Sequence, residues 1–142
     1  MSKISIHESR SQYTGGLSFS TRIDGHEVIT DTKESEGGQN LGPSPKKLML
    51  ASLAGCTGID IAMILHKMKV EFENLNIDIR AELTDIHPST YQSVHIIYTL
   101  RVNPGDEDKM RRAVKLSDEK YCGVMHMFRK FAKVTHEVRF LP

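Results

Sequence analysis

The chain has 142 residues and a formal net charge of +1, and 39% of its residues are hydrophobic. This length predicts a single domain over residues 1–142. The balanced charge gives no signal for nucleic acid or an acidic membrane surface as a partner. Residues 1–12 lack the apolar segment of a secretory signal, which favours a cytoplasmic protein. In that compartment the two cysteines are expected to be reduced thiols.

The first part of the chain is predicted to form an antiparallel meander. Residues 3–7 and 17–23 alternate between apolar and polar side chains, as half-buried strands do. Asp24-Gly25 is a strong signal for a two-residue hairpin turn. Residues 26–30 are therefore predicted to be the returning strand.

One long apolar helix is predicted at the centre of the chain. Ser44 is typical of a helix N-cap and Pro45 of a first helical residue, and the apolar pattern continues to about Met68 with Cys56 in the middle. The run is nearly long enough to span a membrane, but Asp60 would then lie inside the bilayer, so we expect a soluble protein. A helix that is apolar on nearly every side must be covered all round, which predicts a homodimer.

The second half of the chain is predicted to contain three strands and two helices. The strands alternate strictly and occupy residues 75–83, 93–102 and 133–140. A short amphipathic helix over 106–116 precedes a helix from Ser117, its predicted N-cap, to Ala132. Cys122 lies near the start of that helix, where a lowered thiol pKa is favoured. The order of elements predicts an α+β fold with two three-stranded antiparallel sheets around the long helix.

Residue spacing alone assigns neither cysteine a role, because a buried cysteine beside small residues is most often a small hydrophobic side chain. The seven histidines show no metal-ligand spacing, and no glycine-rich phosphate loop follows a strand. We therefore expect no metal and no cofactor. His126 lies one helical turn after Cys122, so it is either a Cys–His partner or a surface or interface histidine.

Two motifs that contain the cysteines indicate a function for them. The segments GPSP (residues 42–45) and LAGC (53–56), followed later by LSDEKYC (116–122), resemble the OsmC/Ohr family of thiol-dependent peroxidases, and within it the small YhfA-like branch. The resemblance covers essentially the whole chain. It implies an intertwined α+β homodimer with two long central helices and an active site at the dimer interface.

The resemblance also implies a role for each thiol. Cys56 is similar to the family's peroxidatic cysteine, whose thiolate attacks a hydroperoxide, releases an alcohol and becomes a sulfenic acid. Cys122 is similar to the resolving cysteine, which condenses with that sulfenic acid to a disulfide. An external dithiol, such as a lipoyl protein, would reduce the disulfide. Apolar surroundings would favour organic hydroperoxides over hydrogen peroxide.

One position departs from the family pattern. Family enzymes carry a glutamate ten residues before the first cysteine, where it orients an arginine, and this chain has Lys46. Arg10 and Arg22 are the candidates for that arginine. Because the dithiol is intact, two further hypotheses stay open beside the peroxidase. The protein could be a non-catalytic redox sensor or small-molecule binder, or a structural dimer with inert thiols.

Overall fold

The computed structural model describes residues 3–142. Its contacts divide the chain into two compact units, one up to Met49 and one from Leu50 to Pro142. The boundary falls within the long helix α1 (Pro45–Lys67). The α+β class, the two three-stranded sheets and the long helix carrying Cys56 are confirmed.

The first unit contains a three-stranded antiparallel sheet. Its strands, in spatial and chain order, are β1 (Arg10–Gly15), β2 (Ser18–Ile23) and β3 (His26–Thr30). The predicted hairpin is confirmed, because Ile23 pairs with His26 across the turn. Its two residues, Asp24 and Gly25, have φ values of 50° and 79°, which aspartate and glycine tolerate.

The strand predicted over residues 3–7 is wrong. That segment has no regular secondary structure, and Ile4 is 89% exposed, so its alternation is not supported by burial. The first strand is instead β1, which is mostly polar and carries no apolar alternation. It is held by pairing with β2 and by a 2.7 Å hydrogen bond between the hydroxyls of Ser11 and Thr21.

Asp31 orders the loop that follows β3. Its carboxylate accepts hydrogen bonds from the backbone N–H groups of Thr32 at 2.7 Å and of Gln39 and Leu41 at 3.2 Å each. The Thr32 N–H, followed by those of Leu41 and Gln39, holds the pKa of Asp31 below its ordinary value, against the opposing effect of burial. Gly38 is required here because a Cβ atom would lie 2.1 Å from the Thr32 carbonyl oxygen.

Helix α1 begins and ends as predicted. The Ser44 carbonyl accepts the Leu48 N–H at 3.1 Å, which leaves Pro45 as the first helical residue. The helix buries one face, formed by residues four apart: Leu53, Thr57, Ile61 and Leu65. Its other side is open in the single chain, and Ile59 is 63% exposed. By length and composition α1 also satisfies the criteria for a membrane span, as core helices of soluble proteins do.

The second unit contains the other sheet, with spatial order β4-β5-β6. Its strands are β4 (Phe72–Leu83), β5 (Tyr91–Val102) and β6 (Lys133–Phe140). The pair β4–β5 is antiparallel, but β5 and β6 are parallel. The prediction of two wholly antiparallel sheets is therefore wrong for β6. A long crossover connects β5 to β6. It brings the chain back to the end of the sheet at which β5 begins, so β6 runs in the same direction as β5.

The crossover consists of α2 (Glu107–Leu116), a wide π-helical turn (Ser117–Tyr121) and α3 (Gly123–Phe128). The predicted continuous helix from Ser117 to Ala132 is wrong. Its proposed N-cap, Ser117, is fully buried and lies inside the helical path. The chain becomes extended at Cys122, with φ −81° and ψ 99°, and this residue caps the separate helix α3. Single 3₁₀ turns lie at Glu34–Glu36 and Pro104–Asp106.

Replacement of a core side chain on α1 tests this packing. Ile61 is 0% exposed and shares a core with β5 residues such as Ile96 and Leu100. Ile61→Ala should lower the free energy of unfolding by about 2–5 kcal/mol, because it removes buried methyl groups and leaves a cavity. Urea denaturation at a fixed protein concentration measures the change. Ile86→Ala, at a position 72% exposed, is the matched control and should change stability little.

The Asp31 loop predicts a pH dependence. A pKa that is lower in the folded state stabilises the fold fully above the unfolded-state pKa of about 3.9, and this stabilisation is lost as pH falls through the lower folded-state pKa. Asp31→Asn should therefore reduce stability at pH 7, and its difference from wild type should shrink in acid. Urea denaturation across pH measures both effects. An undiminished difference at low pH would contradict the assignment, and exposed Asp85 offers Asp85→Asn as the control.

Candidate active site

The second unit brings the two cysteines together. Cys56 and Asp60 lie one turn apart on α1, and Cys122 lies at the start of α3. The two Sγ atoms and a carboxylate oxygen of Asp60 all lie within 4.8 Å of one another. Both cysteines are free thiols, with Cys56 half-buried and Cys122 buried. The residues predicted from the resemblance thus form one cluster, to which the structure adds Asp60.

The position of Cys122 depends on the break between the π-helical turn and α3. Its Sγ accepts the Met125 N–H at 3.3 Å, and its own N–H donates to the Ser117 carbonyl at 2.9 Å. Arg129 ties α3 back to the turn by donating to the carbonyl oxygen of Asp118 at 2.9 Å and to its carboxylate. These bonds hold the thiol toward α1. π-helical turns are often found at functional sites.

Burial raises the pKa of the Cys122 thiol, and the neighbouring Cys56 and Asp60 act in the same direction. The Met125 N–H opposes the shift but does not overcome it. The lowered pKa expected from the sequence is therefore wrong. The helix that Cys122 caps is short, and the desolvation of the sulfur dominates. Cys122 is a protonated thiol at neutral pH.

A chain of buried hydrogen bonds ends at Asp60 of the thiol cluster. The Ser117 hydroxyl donates to Oδ2 of Asp60 at 2.9 Å, so its single proton is engaged there. The Thr57 hydroxyl must then donate to Ser117 at 2.8 Å, and the Tyr98 hydroxyl to Thr57 at 2.9 Å. Burial is the main cause that raises the pKa of Tyr98 to about 12, so the phenol keeps the proton it donates. All three hydrogen bonds therefore point toward the Asp60 carboxylate.

The sequence did not indicate that Tyr98, Thr57 and Ser117 form a chain of hydrogen bonds. Tyr98 is predicted only as part of the alternating strand over 93–102 and Ser117 only as a helix N-cap, and no sequence signal singles out Thr57. The pattern of inward positions on β5 was a signal that Tyr98 is buried, and a buried phenol needs a partner. Nothing in the sequence indicates which hydroxyl provides it.

A groove of about 540 Å³ opens beside Asp60. Met63, Ile64 and Met68 contribute an apolar wall, and Lys67 and Arg112 contribute two cations. Arg112 thus shares a groove with Asp60, a member of the thiol cluster. The sequence candidates Arg10 and Arg22 pair with each other across β1 and β2 in the first unit.

Two other positions singled out from the sequence, His126 and Lys46, are exposed. His126 is exposed and donates its backbone N–H to the Cys122 carbonyl at 3.1 Å, while the Cys122 sulfur accepts from Met125. The Cys–His pair is therefore not formed, and the alternative of a surface or interface histidine stays open. Lys46 is exposed in the first turn of α1.

Comparison with known proteins establishes the family. The model of the family described as OsmC-like protein matches residues 37–137. The chain belongs to the OsmC-like family. Protein YhfA of Escherichia coli strain K12 is 26% identical over 130 residues, which cover 91% of this chain and 94% of YhfA. The family and the YhfA relationship predicted from the cysteine motifs are confirmed.

Solved structures agree with this assignment. A hypothetical protein from Aquifex aeolicus VF5 superposes with a TM-score of 0.79 at 26% identity, covering 98% of this chain and 100% of that one. An organic hydroperoxide resistance protein, OsmC, from Legionella pneumophila superposes with a TM-score of 0.67 at 14% identity, covering 97% and 99%. The second likeness shows that the two proteins share the OsmC-like fold.

The hydrogen-bond chain predicts coupling between Thr57 and Tyr98. Thr57→Val keeps the side-chain shape but leaves the buried Tyr98 hydroxyl without its acceptor, which should cost about 1–3 kcal/mol in the free energy of unfolding. Adding Tyr98→Phe removes the orphaned hydroxyl and should recover most of that loss. A double-mutant cycle by urea denaturation measures the coupling. Simple additivity would contradict the bond, and Thr99→Val, on the outward side of β5, is the control.

Proposed function

We propose that this OsmC-like protein reduces organic hydroperoxides, with Cys56 as the peroxidatic thiol and Cys122 as the resolving thiol. The observation that carries the proposal is the approach of the two sulfurs to within 4.8 Å. Their difference in exposure suits the two roles, because the half-buried Cys56 can meet a substrate and the buried Cys122 can meet only Cys56. The family membership and the shared fold with a hydroperoxide resistance protein support the same chemistry.

The reaction balances with these two groups and an external reductant. The Cys56 thiolate attacks the distal oxygen of the hydroperoxide, the O–O bond breaks, and the alkoxide leaves as an alcohol after taking one proton. Cys56 is then a sulfenic acid. The Cys122 sulfur attacks it, and hydroxide leaves as water with the Cys122 proton. The resulting disulfide is reduced by thiol–disulfide exchange with an external dithiol, for which a lipoyl protein is our candidate.

The groove beside Asp60 supports an organic rather than an inorganic peroxide. Its wall of Met63, Ile64 and Met68 provides apolar surface that an alkyl or aryl group can cover. Hydrogen peroxide would gain nothing from that surface. Arg112 lines the same groove, and we propose it in place of Arg10 and Arg22 as the arginine that assists the site.

The open side of α1 supports a second copy of the chain as the partner. Ile59 is 63% exposed on a helix whose opposite face is core, and exposed apolar surface of this kind marks an interaction site. We propose that two chains, each acting as one domain over residues 1–142, form the intertwined homodimer and place these helices together. We propose that this dimer works in the cytoplasm, with neither a membrane nor nucleic acid as a partner.

A second candidate function is a redox sensor with the same thiols. Lys46 stands where family enzymes carry the glutamate that orients an arginine. A lysine is a point charge and cannot provide that carboxylate. A protein of this kind would form the Cys56–Cys122 disulfide once, slowly, and would not turn over.

Hydroperoxide treatment of the reduced protein separates these functions. With cumene hydroperoxide, wild type should form the Cys56–Cys122 disulfide faster than with hydrogen peroxide, and a dithiol should support repeated turnover, followed by mass spectrometry and by peroxide consumption. Cys56→Ser should reduce consumption to the uncatalysed rate. Cys122→Ser should accumulate a sulfenic acid at Cys56 that dimedone traps.

Each contrary result has a defined meaning. Slow oxidation without turnover would replace the peroxidase with the sensor. Oxidation that begins at Cys122, or an unaltered rate in Cys56→Ser, would overturn the assigned roles. If neither thiol oxidises, both the peroxidase and the sensor are overturned, and the protein shares only the fold of the family.

A further inference from the structure

We propose that Cys56, Asp60 and Cys122 bind one thiophilic divalent cation, Zn²⁺, and that the bound ion protects the thiols from oxidation. The binding follows from the geometry of the cluster. Its regulatory consequence, reversible inhibition of the peroxidase, rests on the proposed function.

The three ligand atoms are nearly in position. They all lie within 4.8 Å of one another. In a tetrahedral zinc site with Zn–S of about 2.3 Å and Zn–O of about 2.0–2.2 Å, ligand atoms lie roughly 3.5–3.8 Å apart. Side-chain movements of about 1 Å would therefore close the site. Within residues 3–142 this is the one group of three or more cysteine, histidine or acidic side chains with such spacing.

Two different elements supply the ligands. Cys56 and Asp60 lie four residues apart on one face of α1, the spacing at which two side chains of a helix can bind the same ion. Cys122 approaches from the start of α3, where its bonds to Met125 and Ser117 hold it. Two sulfurs with one carboxylate oxygen favour zinc over magnesium or calcium. Because Cys56 is only half-buried, water can complete the fourth position.

The hydrogen-bond chain provides the outer support that metal ligands require. Ser117 donates to Oδ2 of Asp60 at 2.9 Å, which orients the carboxylate and leaves its second oxygen for the ion. Thr57 and Tyr98 hold Ser117 in turn. Outer partners of this kind typically contribute 10–100-fold to metal affinity.

Zinc binding involves no change in oxidation state. The ion displaces one proton from each thiol and accepts two thiolate bonds, so two protons enter solution for each ion bound. Asp60 binds as a carboxylate. Each sulfur donates one electron pair to the ion, which lowers its negative charge and its reactivity toward a peroxide, and the ion keeps the two sulfurs roughly 3.5–3.8 Å apart. A chelator that removes the ion restores both thiols.

Direct titration tests the site without any peroxide. Reduced wild-type protein in anaerobic buffer should take one Zn²⁺ per chain from a chromogenic chelator, and Cd²⁺ should give thiolate-to-metal charge-transfer absorption. Cys56→Ser and Cys122→Ser should each lower affinity by at least ~100-fold, and Ser117→Ala by about 10–100-fold. Asp60→Asn retains both thiols and should also weaken binding, whereas the exposed control Asp85→Asn should not. Affinity that survives either cysteine substitution, or Asp60→Asn, overturns the three-ligand site.

A second measurement separates this inference from the proposed function. Diamide oxidises neighbouring thiols to a disulfide without any peroxidase chemistry. One equivalent of Zn²⁺ should block diamide-driven Cys56–Cys122 disulfide formation, and EDTA should restore it, even in a protein that never consumes hydroperoxide. Disulfide formation at the same rate with saturating zinc overturns the protective role. Circular dichroism of each variant confirms that a lost affinity is not a lost fold.

Discussion

The thiol cluster depends on the hydrogen bonds that Ser117 makes to helix α1. Its hydroxyl joins Thr57 and Asp60, one turn apart in the same region of that helix. Through these bonds the π-helical turn is held against α1 at the level of Cys56. The next residues of the chain then deliver Cys122 to the same place. These two hydrogen bonds are the polar contacts by which Ser117 fixes the turn of the β5–β6 crossover to α1.

The same arrangement solves a burial problem. Tyr98, Thr57 and Ser117 place three hydroxyl groups within a mostly apolar core, and an unpaired buried hydroxyl is costly. Because the chain of donors ends at a carboxylate, every proton in it has an acceptor. At the end of this chain, the Ser117 hydroxyl donates to the Asp60 carboxylate. The bond from Ser117 therefore orients the carboxylate beside the two sulfurs.

The two kinds of chemistry that we propose for the cluster depend on the same atoms. Burial raises the pKa of Cys122, which suits the resolving role that we propose for it, because a resolving thiol reacts only with the neighbouring sulfur. The carboxylate of Asp60 adds a third potential ligand to those sulfurs. In our proposals the disulfide and the metal-bound state both start from ligand atoms that lie within 4.8 Å of one another, so each needs only small movements of side chains.

The sequence indicated the elements whose signals are local. The start of α1 was predictable because Ser44 and Pro45 carry helix-start chemistry, and the hairpin at Asp24-Gly25 because its residues tolerate a left-handed backbone. The strand over 133–140 was predicted with its observed bounds. The errors arose where the signal was misleading or absent. Alternation at residues 3–7 had no sheet to pair with, and mostly polar β1 had no alternation to detect.

The sequence by itself determined that the chain has a long apolar helix with a cysteine at its centre, a second cysteine in a family motif, and an OsmC-like fold. Tertiary structure alone decided that β6 runs parallel to β5, that the helical path breaks at Cys122, and that Asp60 joins the two sulfurs. The physical reason is that these features depend on contacts between residues far apart in the chain, such as Thr57 with Tyr98 and Ser117. Periodicity and capping signals report only on neighbours along the sequence.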